Sequence, residues 1–284
     1  MIKVLHSGFY STIQDLGRNG YQEYGVPYSG AMDQYAASMA NALLGNTLDS
    51  AVIEVTMTGA TLQFQNETCI CLTGADMNPK VNDINVLNYK VISIKTGDVL
   101  SFGRLKSGFR TYIAVLGGFN TETVMNSRSM YKGITSQHKL NKGDELSIAI
   151  NDIVFDNKHA VLKVNKAYLS KFEITVFKGP EFNFLTQTQQ HKLLTSSFTI
   201  SNNNNRMAYQ LEEVIENTLD AIITAPVLPG TVQLTPSGKL IVLMRDCQTT
   251  GGYPRVLQLK ESALDVLAQK HTGKSINFTL NSKI

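Results

Sequence analysis

The chain has 284 residues, enough for one large domain or two ordinary ones, each with a substantial core. Lysine and arginine number 26 against 23 aspartates and glutamates, a net charge of +3 with no basic run dense enough to follow a phosphate backbone, so nucleic acid is not expected as a partner. The opening MIKVLHSGFYSTIQDLGRNG places Asp15 and Arg18 where a signal peptide needs an apolar core, and no later stretch approaches the roughly 20 apolar residues of a membrane span, so a cytoplasmic location is expected.

In chain order, the first polar, glycine-rich stretch runs from Ser11 through Asp15, Gly17 and Arg18 to Ser29, Gly30 and Asp33. Such a loop before a helix offers backbone N–H groups and a positive dipole end, which suits an anion or a carbonyl oxygen. The same residues fit a plainer role, with Asp15 and Arg18 as a surface pair and Asp33 as a helix cap. The helix itself is expected to start near Ser29 or Asp33, to put Met32, Tyr35, Ala36, Met39, Ala40 and Leu43 on one stripe, and to stop at Gly45.

Short strands follow: ATLQFQ, TCICLTG, VISIKTGD and RTYIAVLGG. Cys69 and Cys71 stand two apart in TCICLTG, so a strand points both to one face as ordinary core packing. LTGAD ends on Asp76, an acceptor or base at a strand mouth, or a turn residue. Asn82-Asp83 reads as a hairpin turn. The polar stretch from Ile150 to Lys171 separates two β-rich halves, giving expected domains over 1–160 and 171–284.

Beyond it come EITVFKGP, a second helix over Thr186 to Leu194, and Ser201 to Met207, where four asparagines precede Arg206. An arginine fork holds a carboxylate or phosphate through two hydrogen bonds, although a solvated arginine fits as well. Pro236-Ser237-Gly238 turns a hairpin between GTVQLTP and KLIVLMRD. Directly after the apolar LIVLM, the run from Arg245 to Arg255 gathers Asp246, Gln248, Thr249, Thr250, Gly251, Gly252 and Tyr253, more polar chemistry than a turn requires. A third helix is expected from Ser262 to about Lys270, with Ser262 and Asp265 at capping-box spacing, and SINFTL closes the chain as a strand. The predicted class is mainly β with a few helices, arranged as two closed or nearly closed barrels, because closure removes exposed strand edges.

Several chemistries find no support. The five histidines and three cysteines show no metal-ligand spacing, and no metal is expected on the chain. There is no G-x-S-x-G elbow, and GKS at Gly273–Ser275 lacks the leading glycine of a P-loop because Ala268 stands there. The Ala-Met-Lys-Met context of a biotin-carrying lysine is also absent, so biotin is not expected on this chain.

The segments TIQDLGRNGYQEYGVPYSGAMD, LTGAD, YIAVLGG, NSRS, NRMAYQLE, PG-x-VQ at Pro229–Gln233 and DCQTTGGYP together resemble the biotin-dependent carboxyltransferase-type family, in the same order and over nearly the whole chain. The family includes a component of bacterial three-subunit 5-oxoprolinase, half of urea amidolyase, and an antagonist of a sporulation-kinase inhibitor. The resemblance implies cyclophilin-like β-barrel domains and a partner, the B subunit of 5-oxoprolinase, of related fold. It also implies a separate A subunit and ATP-driven opening of 5-oxo-L-proline to L-glutamate. The chain departs from the pattern at Met125-Asn126-Ser127-Arg128-Ser129, where the family has Leu-Gly-Ser-Arg-Ser. It departs again at Thr224-Ala225-Pro226-Val227, where the Glu of Ser-Glu-Gly-Val is replaced.

Opening a lactam needs donors at the carbonyl oxygen and an acceptor for the N–H. On that chemistry Gln248, Thr249, Thr250 and the Gly251-Gly252 backbone are expected to hold the lactam, with Tyr253 closing over it. Arg206 or Arg18 would take the substrate carboxylate, and Asp15, Asp76 or Asp246 the lactam proton, with Ser29, Gly30 and Asp33 shaping the surroundings. ATP with Mg2+ is expected in the assembled complex. Two other readings stand beside this one: a biotin-dependent carboxyltransferase acting on urea or a similar amide, and a regulatory protein that binds a kinase inhibitor.

Overall fold

The computed structural model describes residues 1–149 and 163–281, so most of the predicted boundary segment lies outside the described residues. The structure is mainly β, with three α-helices among the described residues, and it divides into two compact units. One comprises Met1–Gly17 and Ser29–Ser170; the other comprises Arg18–Tyr28 and Lys171–Ile284. The halves are therefore not contiguous in sequence, because the stretch from Arg18 to Tyr28 belongs to the second unit.

The first unit is built on two antiparallel sheets. Six strands run in the order Glu145–Leu146, Ile2–His6, Thr61–Phe64, Val99–Phe102, Pro79–Val81, Ile84–Asn85; five run in the order Tyr10–Gln14, Val52–Thr56, Ser107–Val115, Thr68–Asp76, Val91–Ile94. Ile2, Val4, Leu62 and Phe64 from the first sheet share one core with Ile13, Ile53, Val55, Leu72 and Ile113 from the second. Alternation along each strand sends these side chains to one face. Among the described residues no strand ladder joins the two sheets into a fully closed barrel, although they enclose one core, which fits the nearly closed form of the expectation. Two-residue strands at both edges of the six-stranded sheet leave little ladder to pair, which is another way to blunt an edge.

The other face of the five-stranded sheet is covered by α1, Gln34–Leu44, whose Ala36, Ala37, Ala40 and Leu44 pack on Val52, Cys71 and Ala114. Asp33 caps this helix by accepting the Ala36 amide at 2.8 Å, and Gly45 ends it at φ 76°. Cys69 and Cys71 do share a face: both belong to this cluster. Asn82 and Asp83, at φ 48° and 65°, turn the Pro79–Val81/Ile84–Asn85 hairpin with the two positive dihedrals that such a tight turn needs.

The second unit is a closed seven-stranded barrel. Its order is Glu173–Lys178, Arg255–Leu259, Thr231–Leu234, Lys239–Leu243, Ala208–Val214, Ser197–Asn204 and Ser275–Leu280. The last strand closes it by lying parallel to the first, with Ile174 opposite Phe278. α2, Gln187–Thr195, starts with a full capping box between Thr186 and Gln189. α3, Glu261–Ala268, differs from expectation: its N-cap is Lys260, with no side-chain cap, so Ser262 and Asp265 lie inside the helix. The amide of Lys260 is fixed on the Thr175 carbonyl at 2.9 Å, so strand pairing sets where the helix begins. Ala263, Leu264 and Leu267 supply its buried face.

Candidate functional site

In the second unit, the strand Lys239–Leu243 delivers the polar run that begins at Arg245. Asp246 opens it, and both its carboxylate oxygens are gripped by Arg206, Nε to Oδ2 at 2.9 Å and Nη2 to Oδ1 at 3.0 Å. The Asp246 amide also donates to the Arg206 carbonyl at 2.9 Å. Side-on geometry of this kind is the strong form of an ion pair. It engages Arg206 as an anchor for the run, which corrects the expectation of an arginine open to a substrate carboxylate, and it likewise commits Asp246.

A second pair holds the far end. Arg255 donates from Nε and Nη2 to Glu181 at 3.0 and 2.8 Å and from Nη1 to the Pro226 carbonyl at 3.1 Å. Hydrogen bonding to Arg255 holds the Glu181 carboxyl below its ordinary range and raises the arginine in return. Between the two pairs, Thr250–Gly251 forms a short ladder with Ala225–Pro226, and the Ile222 amide donates to the Gly252 carbonyl at 3.0 Å. Ala225, where the family pattern carries Glu, faces Gly251 in that ladder.

Gly251 is required by its neighbour: a Cβ there would stand 2.5 Å from Nε2 of Gln233, itself buried. Gln233 comes from the PG-x-VQ segment and reaches the Tyr253 carbonyl. The Gln248 Oε1 atom is buried without a hydrogen-bond partner among the described residues. Thr250 and Tyr253 are exposed. The run is thus a clamped loop with an unfilled acceptor at Gln248, accessible hydroxyls and an exposed phenol. Cys247 packs beneath it with Val227 and Leu243, and burial, reinforced by Asp246, pushes its thiol up to about 12.

Arg18 also lies in this unit. It is fully buried, its amide donates to the Tyr28 carbonyl at 2.6 Å, and its own carbonyl accepts from Gln22 at 2.7 Å. That overturns the surface-pair reading of Asp15 and Arg18.

In the first unit, Asp15 organises a loop. Its Oδ1 accepts from the Gly17 amide at 2.8 Å, Ser127 Oγ at 2.7 Å and Ser129 Oγ at 2.6 Å, and its Oδ2 accepts from the Arg128 amide at 2.6 Å. A carboxylate so engaged fixes the 127–129 turn and has little capacity left to take a substrate proton. The Asp15 carbonyl accepts the Ala31 amide at 2.8 Å, and Gly30, at φ 88°, leaves a Cβ no room against Leu16 and Gly17. Ser29 is buried with its hydroxyl unpartnered among the described residues. Asp76 folds back to accept the Asn78 amide at 2.8 Å, the turn alternative of its two readings.

A buried polar network in this unit was not read from sequence. Glu54 Oε2 accepts from Tyr112 Oη at 2.8 Å and from the Met32 amide at 2.7 Å, Arg110 Nε stands 3.6 Å from Oε1, and Tyr112 Oη accepts the Asp33 amide at 2.8 Å. Asp33 Oδ2 in turn accepts from Tyr168 at 2.6 Å, so Asp33 does more than cap. Burial, with the nearby carboxylates, raises both phenols, Tyr112 and Tyr168, well above their usual range.

The structure thus brings Gln248, Thr249, Thr250, Gly251, Gly252 and Tyr253 together as one segment of the second unit. It joins Asp15 to Ser29, Gly30 and Asp33 through the backbone of the first. Glu181, Gln233, Ser127 and Ser129 were missed; the last three lay in the quoted family segments, and Glu181 follows the Lys178-Gly179-Pro180 turn. Among the described residues no group of three or more acidic, histidine or cysteine side chains is placed to hold a metal ion, and no helix is long and apolar enough to cross a membrane.

Comparison with known proteins bears on this arrangement. The chain is 34% identical over 284 residues to the 5-oxoprolinase C subunit of Escherichia coli, covering 98% of this chain and 90% of that one. It is 33% identical to the Haemophilus influenzae protein of the same name, with the same coverage. Urea amidolyase of Lachancea kluyveri is 38% identical over 130 residues, which is 45% of this chain and 7% of that protein. Among solved structures, urea amidolyase from K. lactis superposes with a TM-score of 0.89 at 24% identity, covering 99% of this chain but 19% of that one, a likeness of fold. Residues 24–280 match the family described as carboxyltransferase domain, subdomain A and B, and the chain belongs to that family.

Proposed function

We propose that this protein is the C subunit of an ATP-dependent 5-oxoprolinase, opening 5-oxo-L-proline to L-glutamate together with the A and B subunits in the cytoplasm. The observation that carries this reading is the match to the E. coli and H. influenzae proteins over 98% of this chain and 90% of theirs. In the proposed site the Gln248 carboxamide oxygen accepts the lactam N–H, which supplies the partner that this buried atom lacks within the described residues. The threonine hydroxyls and the Gly251-Gly252 backbone face the lactam carbonyl, and Tyr253 covers the ring.

ATP with Mg2+, bound in the assembled complex, would supply the driving force by phosphorylating the carbonyl oxygen, with ADP leaving and phosphate released as the ring opens. Water adding to the carbonyl carbon would release the phosphate and break the C–N bond, the nitrogen taking up a proton from the water. The nitrogen leaves as the amine of glutamate.

The test is ATP-dependent glutamate release from 5-oxoproline by this chain assembled with its A and B partners, with each of the three omitted in turn. Release that needs all three supports the reading. ATP-independent binding with no turnover would favour a regulatory role, and turnover that needs a biotinylated carrier would favour an amide carboxyltransferase.

A further inference from the structure

The first unit carries a cleft that the lactam chemistry does not use. It has a volume of about 320 Å3 and is lined by Arg128, Glu122, Asp144, Glu145, Ser136 and Ser147, among others. That is the size of a small-molecule site.

Arg128 is held there from both ends. Asp15 fixes its amide and the hydroxyls of Ser127 and Ser129 on either side. Its guanidinium donates from Nη1 to the Thr121 carbonyl and from Nη2 to Asn120 Oδ1 at 2.9 Å. Both acceptors are neutral, and no carboxylate among the described residues lies within ion-pair distance of it. A positioned fork with an uncompensated charge is suited to a carboxylate.

The acidic side of the cleft is unequal. Glu122 Oε2 is occupied by the Ser136 amide and hydroxyl at 2.9 and 2.7 Å, and Asp144 Oδ2 by the Asn141 amide at 2.8 Å. The Glu145 carboxylate makes no hydrogen bond or ion pair with a described side chain, and it suits an ammonium group. A phosphate would meet repulsion from three carboxylates, and a simple cation would meet Arg128. One charge of each sign satisfies both the guanidinium and the carboxylates of the lining.

We propose that this cleft binds a free α-amino acid as its zwitterion, the carboxylate on Arg128 and the ammonium on Glu145.

The test titrates the full chain with each common L-α-amino acid, following binding by calorimetry and by ligand-observed NMR. At least one should bind saturably at one site per chain. Its N-acetyl and methyl-ester derivatives should each bind at least tenfold more weakly, and 5-oxo-L-proline, whose nitrogen is an uncharged amide, should not displace it. Arg128→Gln should weaken binding at least tenfold, as should Glu145→Gln, an exposed position whose replacement is expected to leave the far-UV circular dichroism and melting temperature unchanged. No saturable binding by any amino acid would overturn the proposal, as would binding indifferent to Glu145→Gln and to esterification.

Discussion

Arg206 and Asp246, 40 positions apart in sequence, meet twice: fork to carboxylate at 2.9 and 3.0 Å, and backbone carbonyl to backbone amide at 2.9 Å. The pair ties the asparagine-rich turn to the start of the Gln248–Tyr253 run. Arg206→Ala leaves a mostly buried carboxylate uncompensated and is expected to cost about 3 kcal/mol. Asp246→Asn leaves the more buried Arg206 guanidinium uncompensated and should cost a similar amount. Urea unfolding measures both, and a loss below about 1 kcal/mol for Arg206→Ala would remove the anchoring role.

Gly251→Ala puts a methyl 2.5 Å from the Gln233 amide. The carboxamide must swing away, so the variant is expected to melt within a few degrees of the parent and, if the proposed 5-oxoprolinase site is right, to lose about tenfold in kcat/KM in the complex with the A and B subunits. Gly251→Ala combined with Gln233→Ala should recover part of that loss. An unchanged kcat/KM in the single variant would show that this contact is irrelevant to turnover.

Tyr168→Phe removes one O–H, the donor 2.6 Å from Asp33 Oδ2. Because Asp33 is fully buried, the loss should destabilise the first unit by about 1–3 kcal/mol. Hydrogen exchange at the α1 N-terminus should accelerate with it.

Burial, reinforced by Lys274, lowers the Lys270 ammonium from 10.5 to about 8. Between these values the unfolded chain holds a proton that the folded chain has released, so stability should rise with pH across that window. Below about 8 the penalty is fully present. Lys270→Met should be the more stable form near neutrality and should lack this component of the rise, as read from urea unfolding at about pH 7 and about pH 10.

Cys71 and Cys247 are buried, and burial pushes both thiols up to about 12. Alkylation of the native protein should spare both, whereas unfolded protein should react at all three cysteines. Mass spectrometry of the labelled peptides decides it.

Local signals in the sequence carried far. Asp33 and Gly45 bound α1 because cap chemistry is set by neighbours within a turn, and Asn82-Asp83 and Pro236-Ser237-Gly238 turn hairpins for the same reason. Ser262 misled, since its spacing to Asp265 suited a capping box while pairing with the Thr175 carbonyl fixed the start of α3 earlier. In the candidate site, Gln248 to Tyr253 stood out by composition. What those residues touch was not legible, because Arg206–Asp246, Glu181–Arg255 and Asp15–Ser129 are contacts across 40, 74 and 114 positions. Barrel closure likewise depends on which strands become neighbours, and the two halves, equally rich in short strands, resolved it differently.

The assignment of Arg18–Tyr28 to the second unit has a consequence for the gene. A protein cut or recombined between residues 160 and 171 hands the downstream half over without a segment that folds with it. The two halves are therefore not expected to exchange as separate modules, and a fragment beginning at Lys171 should be less stable alone than with that peptide supplied in trans.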